Sequence, residues 1–80
     1  MSEQAKRVNK LSEIDMSSIC YWKDTQGWWF YIPKCGIGGL GHHQVEEHED
    51  GTITVTPSIS LEGHLGKRHG FLTKGQWKDA

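Results

Sequence analysis

Five histidines stand among 80 residues, at positions 42, 43, 48, 64 and 69, together with two cysteines, Cys20 and Cys35. Histidine is the one side chain whose ordinary pKa lies near neutrality, so this set can move protons or bind metal. Ser58 follows Pro57 where a run of strand-forming residues is interrupted. A serine at such a break can offer its hydroxyl to an imidazole, and His43 and His69 are the candidate bases. The plainer reading is that Ser58 closes its own turn through the backbone.

Metal is the second chemistry. Cys35, His43 (or His42), His64 and His69 are N and S donors of the kind that zinc prefers. Their spacing argues against a compact site, because the chain has neither Cys-x-x-Cys nor His-x3-His. His42 and His43 are adjacent, so on a strand they point to opposite faces and only one can join a given site.

The residues that must position these groups read as mainly β. Ile19–Trp22 and Trp28–Ile32 are aromatic and β-branched, with Asp24-Thr25-Gln26-Gly27 between them as a hairpin turn. Pro33 ends the second run, since it cannot donate to a ladder. Residues 35–41 hold four glycines in seven positions and read as a loop. That stretch lacks the Gly-Lys-Ser/Thr ending of a phosphate-binding loop, so nucleotide binding is not expected. Gln44–Glu47 and Thr52–Thr56 predict a second hairpin around Glu49-Asp50-Gly51. Ser58–Leu61 resumes the strand beyond Pro57, and residues 62–66 form a loop. Gly70–Leu72 and Gln76-Trp77 flank Thr73-Lys74-Gly75 as a third hairpin. Residues 1–18 predict an arm that precedes a compact β-rich domain over residues 19–80. Val8, Leu11 and Ile14 recur every third residue, and Ser12 with Asp15 resembles a capping box, which predicts a short helix in the arm. The expected architecture is a small antiparallel sheet and hairpin domain with a short N-terminal helical arm.

A chain of this length buries only about 60% of the surface that its unfolded form exposes. Apolar residues make up 35% of it. The expected core is therefore thin, built on Trp22, Trp28, Trp29, Phe30, Val55, Ile59, Phe71 and Trp77, and such cores often need a metal, a disulfide or a partner as a staple. A net charge of −1 gives no clustered basic face for nucleic acid. Lys67-Arg68 and Lys74 read as a solvated hairpin end. No apolar run reaches the ~20 residues of a membrane span. Residues 1–18 are polar and mixed in charge, unlike a signal peptide. The expectation is a cytosolic protein with reduced thiols, the alternative being a Cys20–Cys35 disulfide.

Four segments occur in a familiar order: Trp28–Cys35, Gly41–Val45, Thr56–Ile59 and His69–Trp77. Together they resemble small phage proteins labelled ammonia monooxygenase-like, which are similar to the BubE-like proteins of bacterial operons for ubiquitin-like conjugation. The likeness spans roughly residues 28–77. It implies a phage-encoded serine peptidase that acts on a protein tail such as a ubiquitin-like one, in the host cytoplasm. Ser58, His69 and His43 are the catalytic residues it implies, with His69 as the base and His43 orienting it in the role that a carboxylate has in a Ser-His-Asp triad, and with backbone N–H groups of the Pro57 turn or the Gly36–Gly41 loop as an oxyanion hole; a host or phage protein is the implied partner. In the phage group, cysteines stand where this chain has Ile32 and Arg68, so two ligand positions of a structural zinc site are missing here. Two rival readings follow. One is a non-catalytic module that inhibits a host defence protein. The other is a zinc-stapled structural module using Cys35, His43, His64 and His69.

Overall fold

The computed structural model describes residues 2–80. Nine strands form two sheets: β1 (Ser2–Gln4), β2 (Lys6–Arg7), β3 (Cys20–Asp24), β4 (Gly27–Ile32), β5 (Gly36–Gly39), β6 (Gln44–Glu47), β7 (Ile53–Gly63), β8 (Gly66–Thr73) and β9 (Gln76–Asp79). The order is β1-β9-β8-β7-β6 in one sheet and β2-β3-β4-β5 in the other. All pairings are antiparallel except β2 with β3.

The three expected hairpins form, each for a local reason. At the β3–β4 turn the Asp24 carboxylate accepts from the Gln26 N–H at 2.8 Å, and Gly27 takes a φ of 122°. Asp50 accepts from both the N–H and the hydroxyl of Thr52 at the β6–β7 turn. The β8–β9 loop is Lys74-Gly75, with both residues at positive φ. That is the two-residue geometry whose twist matches flanking strands.

Period-two alternation then sorts the side chains between two packing layers. Tyr21, Phe30 and Ile32 of one sheet meet Ile53, Val55, Ile59, Leu72 and Trp77 of the other, and all are buried. The Phe30 and Trp77 rings lie 5.7 Å apart at the centre of this layer. On the far side of the four-stranded sheet, Cys20, Trp22 and Tyr31 form a second buried cluster, against which Val8, Ile14 and Trp29 pack. Cys20 and Cys35 are both buried and unbridged, in different clusters.

Several expectations are corrected. Among its described residues the arm contains no α-helix: β1 pairs with β9, β2 pairs with β3, and a single 3₁₀ turn spans Leu11–Glu13. Asp15 accepts from the Ser17 N–H and from the Ser17 and Ser18 hydroxyls, so it makes a turn instead of serving a capping box with Ser12. Val8 and Ile14 do cover the sheet, in extended chain, while Leu11 faces solvent. The glycine stretch is not a loop, because Gly36–Gly39 forms β5 with its backbone paired to β4. The break at Pro57 is a bulge within one continuous strand, and residues 62–66 are not all loop. β7 runs through Pro57 to Gly63, and only His64-Leu65 separates it from β8. Among the expected core residues, Trp28 and Trp29 are half-buried and Phe71 is 47% exposed. Leu72 takes the inward position beside Phe71.

Candidate active site: a serine and a histidine at a bulge

Between Val55, opposite Leu72, and Ile59, opposite Gly70, the pairing of β7 with β8 shifts register. Thr56, Pro57 and Ser58 face Phe71 alone. The bulge contains the cis Thr56–Pro57 peptide bond. Proline has no N–H to give to a ladder, so this is where the sequence allows the strand to bend. Ile59 returns to the core, which leaves Ser58 and Ser60 on the outer face of the sheet.

His69 stands directly opposite Ser60. The His69 carbonyl accepts from the Ala80 N–H, so its backbone is directed to the β9 side. Ser60–His69 is therefore a pair without mutual main-chain bonds, the kind in which cross-strand side chains approach most closely. Ser58, diagonal to His69, makes the contact: its Oγ lies 2.7 Å from His69 Nε2. A neutral imidazole with its proton on Nδ1 presents the Nε2 lone pair to the serine hydroxyl, which donates to it. Ser58 is half-buried and His69 is exposed, with the Phe71 ring beside it at 6.4 Å between centroids.

His43 reaches the same serine from the other side, through its main chain. A turn in which the His43 N–H donates to the Leu40 carbonyl brings the ring to β7. Its Nε2 lies 3.0 Å from the Ser58 carbonyl oxygen. A carbonyl can only accept, so Nε2 carries the proton and Nδ1 of the neutral ring is an acceptor. That Nδ1 is buried and has no hydrogen-bond partner among the described residues. His43 thus clamps the bulge backbone instead of orienting the His69 ring. Among the described residues, no carboxylate hydrogen-bonds to His69.

The four zinc-ligand candidates are not brought together. Cys35 lies in the β4–β5 turn and His64 in the β7–β8 turn, where both border an open apolar groove of about 730 Å³ with Met16, Tyr31, Pro33 and Leu65. His43 and His69 sit at Ser58, six positions along the strand from His64, which is on the order of 20 Å at the usual rise per residue. No group of three or more His, Cys, Asp or Glu side chains among the described residues could hold a metal ion. Arg68 is taken by ion pairs to Asp79 and Glu3 and lies over the Trp77 ring.

Sequence reasoning had the serine and both histidines but missed Phe71 as a neighbour of His69, the groove at the hairpin ends, and the Gly38–Leu40 segment beside His43. The alternation of apolar residues carried no signal for any of the three. No helix of the described residues is long and apolar enough to cross a membrane. No protein-family model matches this chain, and neither a curated protein nor a solved structure resembles it significantly.

Proposed function

We propose that this protein is a Ser/His hydrolase, a peptidase that cleaves an extended protein tail. The observation that carries the reading is the 2.7 Å contact between Ser58 Oγ and His69 Nε2. A serine hydroxyl is a weak nucleophile until a base accepts its proton, and this distance is within direct proton-transfer reach. His69 takes the Ser58 proton as Oγ bonds to the scissile carbonyl carbon. The same imidazole then gives that proton to the leaving amine as the C–N bond breaks. Water, deprotonated by His69, hydrolyses the resulting ester and restores the serine. The role of His43 is to fix the Ser58 backbone, and through it the hydroxyl, by the bond to the Ser58 carbonyl. The resemblance to small phage proteins, and through them to the BubE-like group of serine peptidases, supports the same assignment and a ubiquitin-like tail as substrate, with the host cytoplasm as the site of action.

A fluorophosphonate probe, followed by mass spectrometry of the intact 9.1 kDa chain, tests this reading. An adduct on the wild type that is absent from Ser58→Ala and His69→Ala supports it. An unlabelled wild type, under conditions that label a control serine peptidase, refutes it.

A second reading has its own observation. Met16 and Leu65 are 68% and 76% exposed beside the apolar groove, an unusual display for so small a domain. A non-catalytic module that binds and inhibits a host defence protein would use this face. In that case Leu65→Glu abolishes partner binding and Ser58→Ala does not.

A further inference from the structure

The core does not account for Phe71. Its side chain is 47% exposed, and Leu72 fills the inward place beside it on β8. The outer face on which it stands is otherwise polar, with Thr54, Thr56 and Ser60 of β7, Thr73 of β8 and Gln76 of β9. Phe71 is the one large apolar side chain exposed on that face among the described residues. A single exposed aromatic is ordinary by itself. The position of this one, beside the reacting pair, gives it meaning.

Three observations tie Phe71 to Ser58 and His69. It follows His69 by two residues on β8, so both side chains share the outer face. The two ring centroids lie 6.4 Å apart, with 36° between the planes. The bulge residues Thr56, Pro57 and Ser58 stand across from Phe71, between the Val55–Leu72 and Ile59–Gly70 pairings. Access is open, because His69 and Phe71 are both exposed on the solvent side of the sheet.

The chemistry decides which half of a substrate meets this ring. His69 gives its proton to the leaving amine, so that nitrogen must come within hydrogen-bond reach of Nε2. The departing segment therefore begins over the imidazole, and its first side chain reaches the adjacent ring of Phe71. A large apolar or aromatic side chain placed there takes both surfaces out of water and gains ring contact. Lys78 stands opposite Phe71 on β9, which disfavours a cationic side chain at the same place.

We infer that Phe71 is a specificity-determining residue, the subsite for the first residue after the cut bond, and that it selects a large apolar side chain there. The inference rests on the hydrolase reading and names the substrate class of that site.

Two measurements test it. In the first, wild-type protein is given a peptide digest of denatured proteins, and the new cut sites are read by mass spectrometry, with Ser58→Ala protein as the blank. Phenylalanine, leucine and methionine should be enriched over glycine just after the cut by about tenfold, the scale on which apolar groups are discriminated. Phe71→Ala should remove most of that preference, and Phe71→Leu should keep much of it. Cutting without regard to this residue, or a preference that survives in Phe71→Ala, refutes the subsite and leaves the hydrolase standing. Enrichment of aspartate and glutamate would assign the subsite to Lys78 and refutes it equally. In the second, Ser58→Ala protein labelled with ¹⁵N in its histidines is titrated at constant pH with phenylalanine amide and, separately, glycine amide, which mimic the departing amine. Phenylalanine amide should shift the His69 ring resonances saturably and glycine amide should not. Adding Phe71→Ala should abolish the response. Equal responses to the two amides overturn the subsite. A wild type that neither cuts the digest nor takes fluorophosphonate ends the hydrolase reading, and this inference with it.

Discussion

Gly70 lies flat against the indole of Trp77: a Cβ built on it would stand 2.7 Å from the ring carbon Cζ2 and 2.4 Å from the Lys78 carbonyl oxygen. Gly70 is the residue after His69 and is paired with Ile59, the residue after Ser58. The close approach therefore seats both functional side chains. Gly70→Ala must push β8 away from β9 or displace the buried indole. It is expected to lower the thermal midpoint by several degrees and to reduce fluorophosphonate labelling of the fraction that remains folded. Calorimetry and intact-mass labelling check the two effects.

Ser58→Ala removes one oxygen from a half-buried position and should change stability by only about 0.5 kcal/mol. His69→Ala exposes no core. Each should abolish hydrolysis, and the double variant should be no worse than either single one, because the two residues act as a unit. Peptide turnover measured on the three proteins checks this. Additive losses would refute a shared proton path.

His43→Gln can keep a donor to the Ser58 carbonyl, whereas His43→Ala cannot. If the clamp positions the nucleophile, kcat should fall in His43→Ala by one to two orders of magnitude and recover in part in His43→Gln. The His69 pH profile should be the same in both. A change in that profile would place His43 in the proton path.

The core prediction divides Trp77 from Phe71. Trp77 is fully buried against Phe30, and Trp77→Ala should cost about 3–5 kcal/mol, the usual loss for a core aromatic. A small domain can unfold outright at that cost. Phe71 is half-exposed, so Phe71→Ala should cost about 1 kcal/mol or less, and urea titration of the two variants measures the gap.

Acid should weaken the fold in a defined direction. The Arg68 guanidinium, and then the Trp77 N–H, hold the Asp79 carboxyl below the usual carboxylate range. Glu47 is held low mainly by Arg7, and Asp50 mainly by Thr52. A carboxyl whose pKa is depressed on folding contributes stability that is present above its unfolded value, about 4, and is lost as the pH falls through the folded one. The midpoint should therefore drop below about pH 4, and Asp79→Asn should shrink the drop. Thermal melts from pH 7 to pH 2 measure both.

How much of this was legible in the sequence depended on whether the signal was local. The hairpin turns at Asp24–Gly27, Asp50-Gly51 and Lys74-Gly75 could be read because turn chemistry lies in the turn residues themselves. The β5 strand could not, since Gly36, Gly38 and Gly39 have poor strand propensity and are held extended by pairing with β4. Val8 and Ile14 do pack against the sheet, but a three-residue spacing does not separate a helix turn from a draped extended segment. Phe71 and Leu72 are adjacent and both apolar, so periodicity could not show that the core position expected for Phe71 belongs to Leu72. Ser58, His43 and His69 were visible as chemical types. Their geometry was not, because it depends on the bulge at Pro57, which decides that Ser58 and His69 share a face.

The short run that holds β1 and β2 belongs to both sheets, with only the buried Ala5 between its two pairings. Its β1 half pairs with β9, so the first described residues close against the last: Ser2 lies opposite Lys78. Contacts that span nearly a whole sequence form slowly, because the intervening chain must be ordered before they can be made. During synthesis β1 has no partner until β9 has been made. The five-stranded sheet is thus completed late, and assembly of the hairpin that carries Ser58 and His69 precedes the strand that fastens its far side.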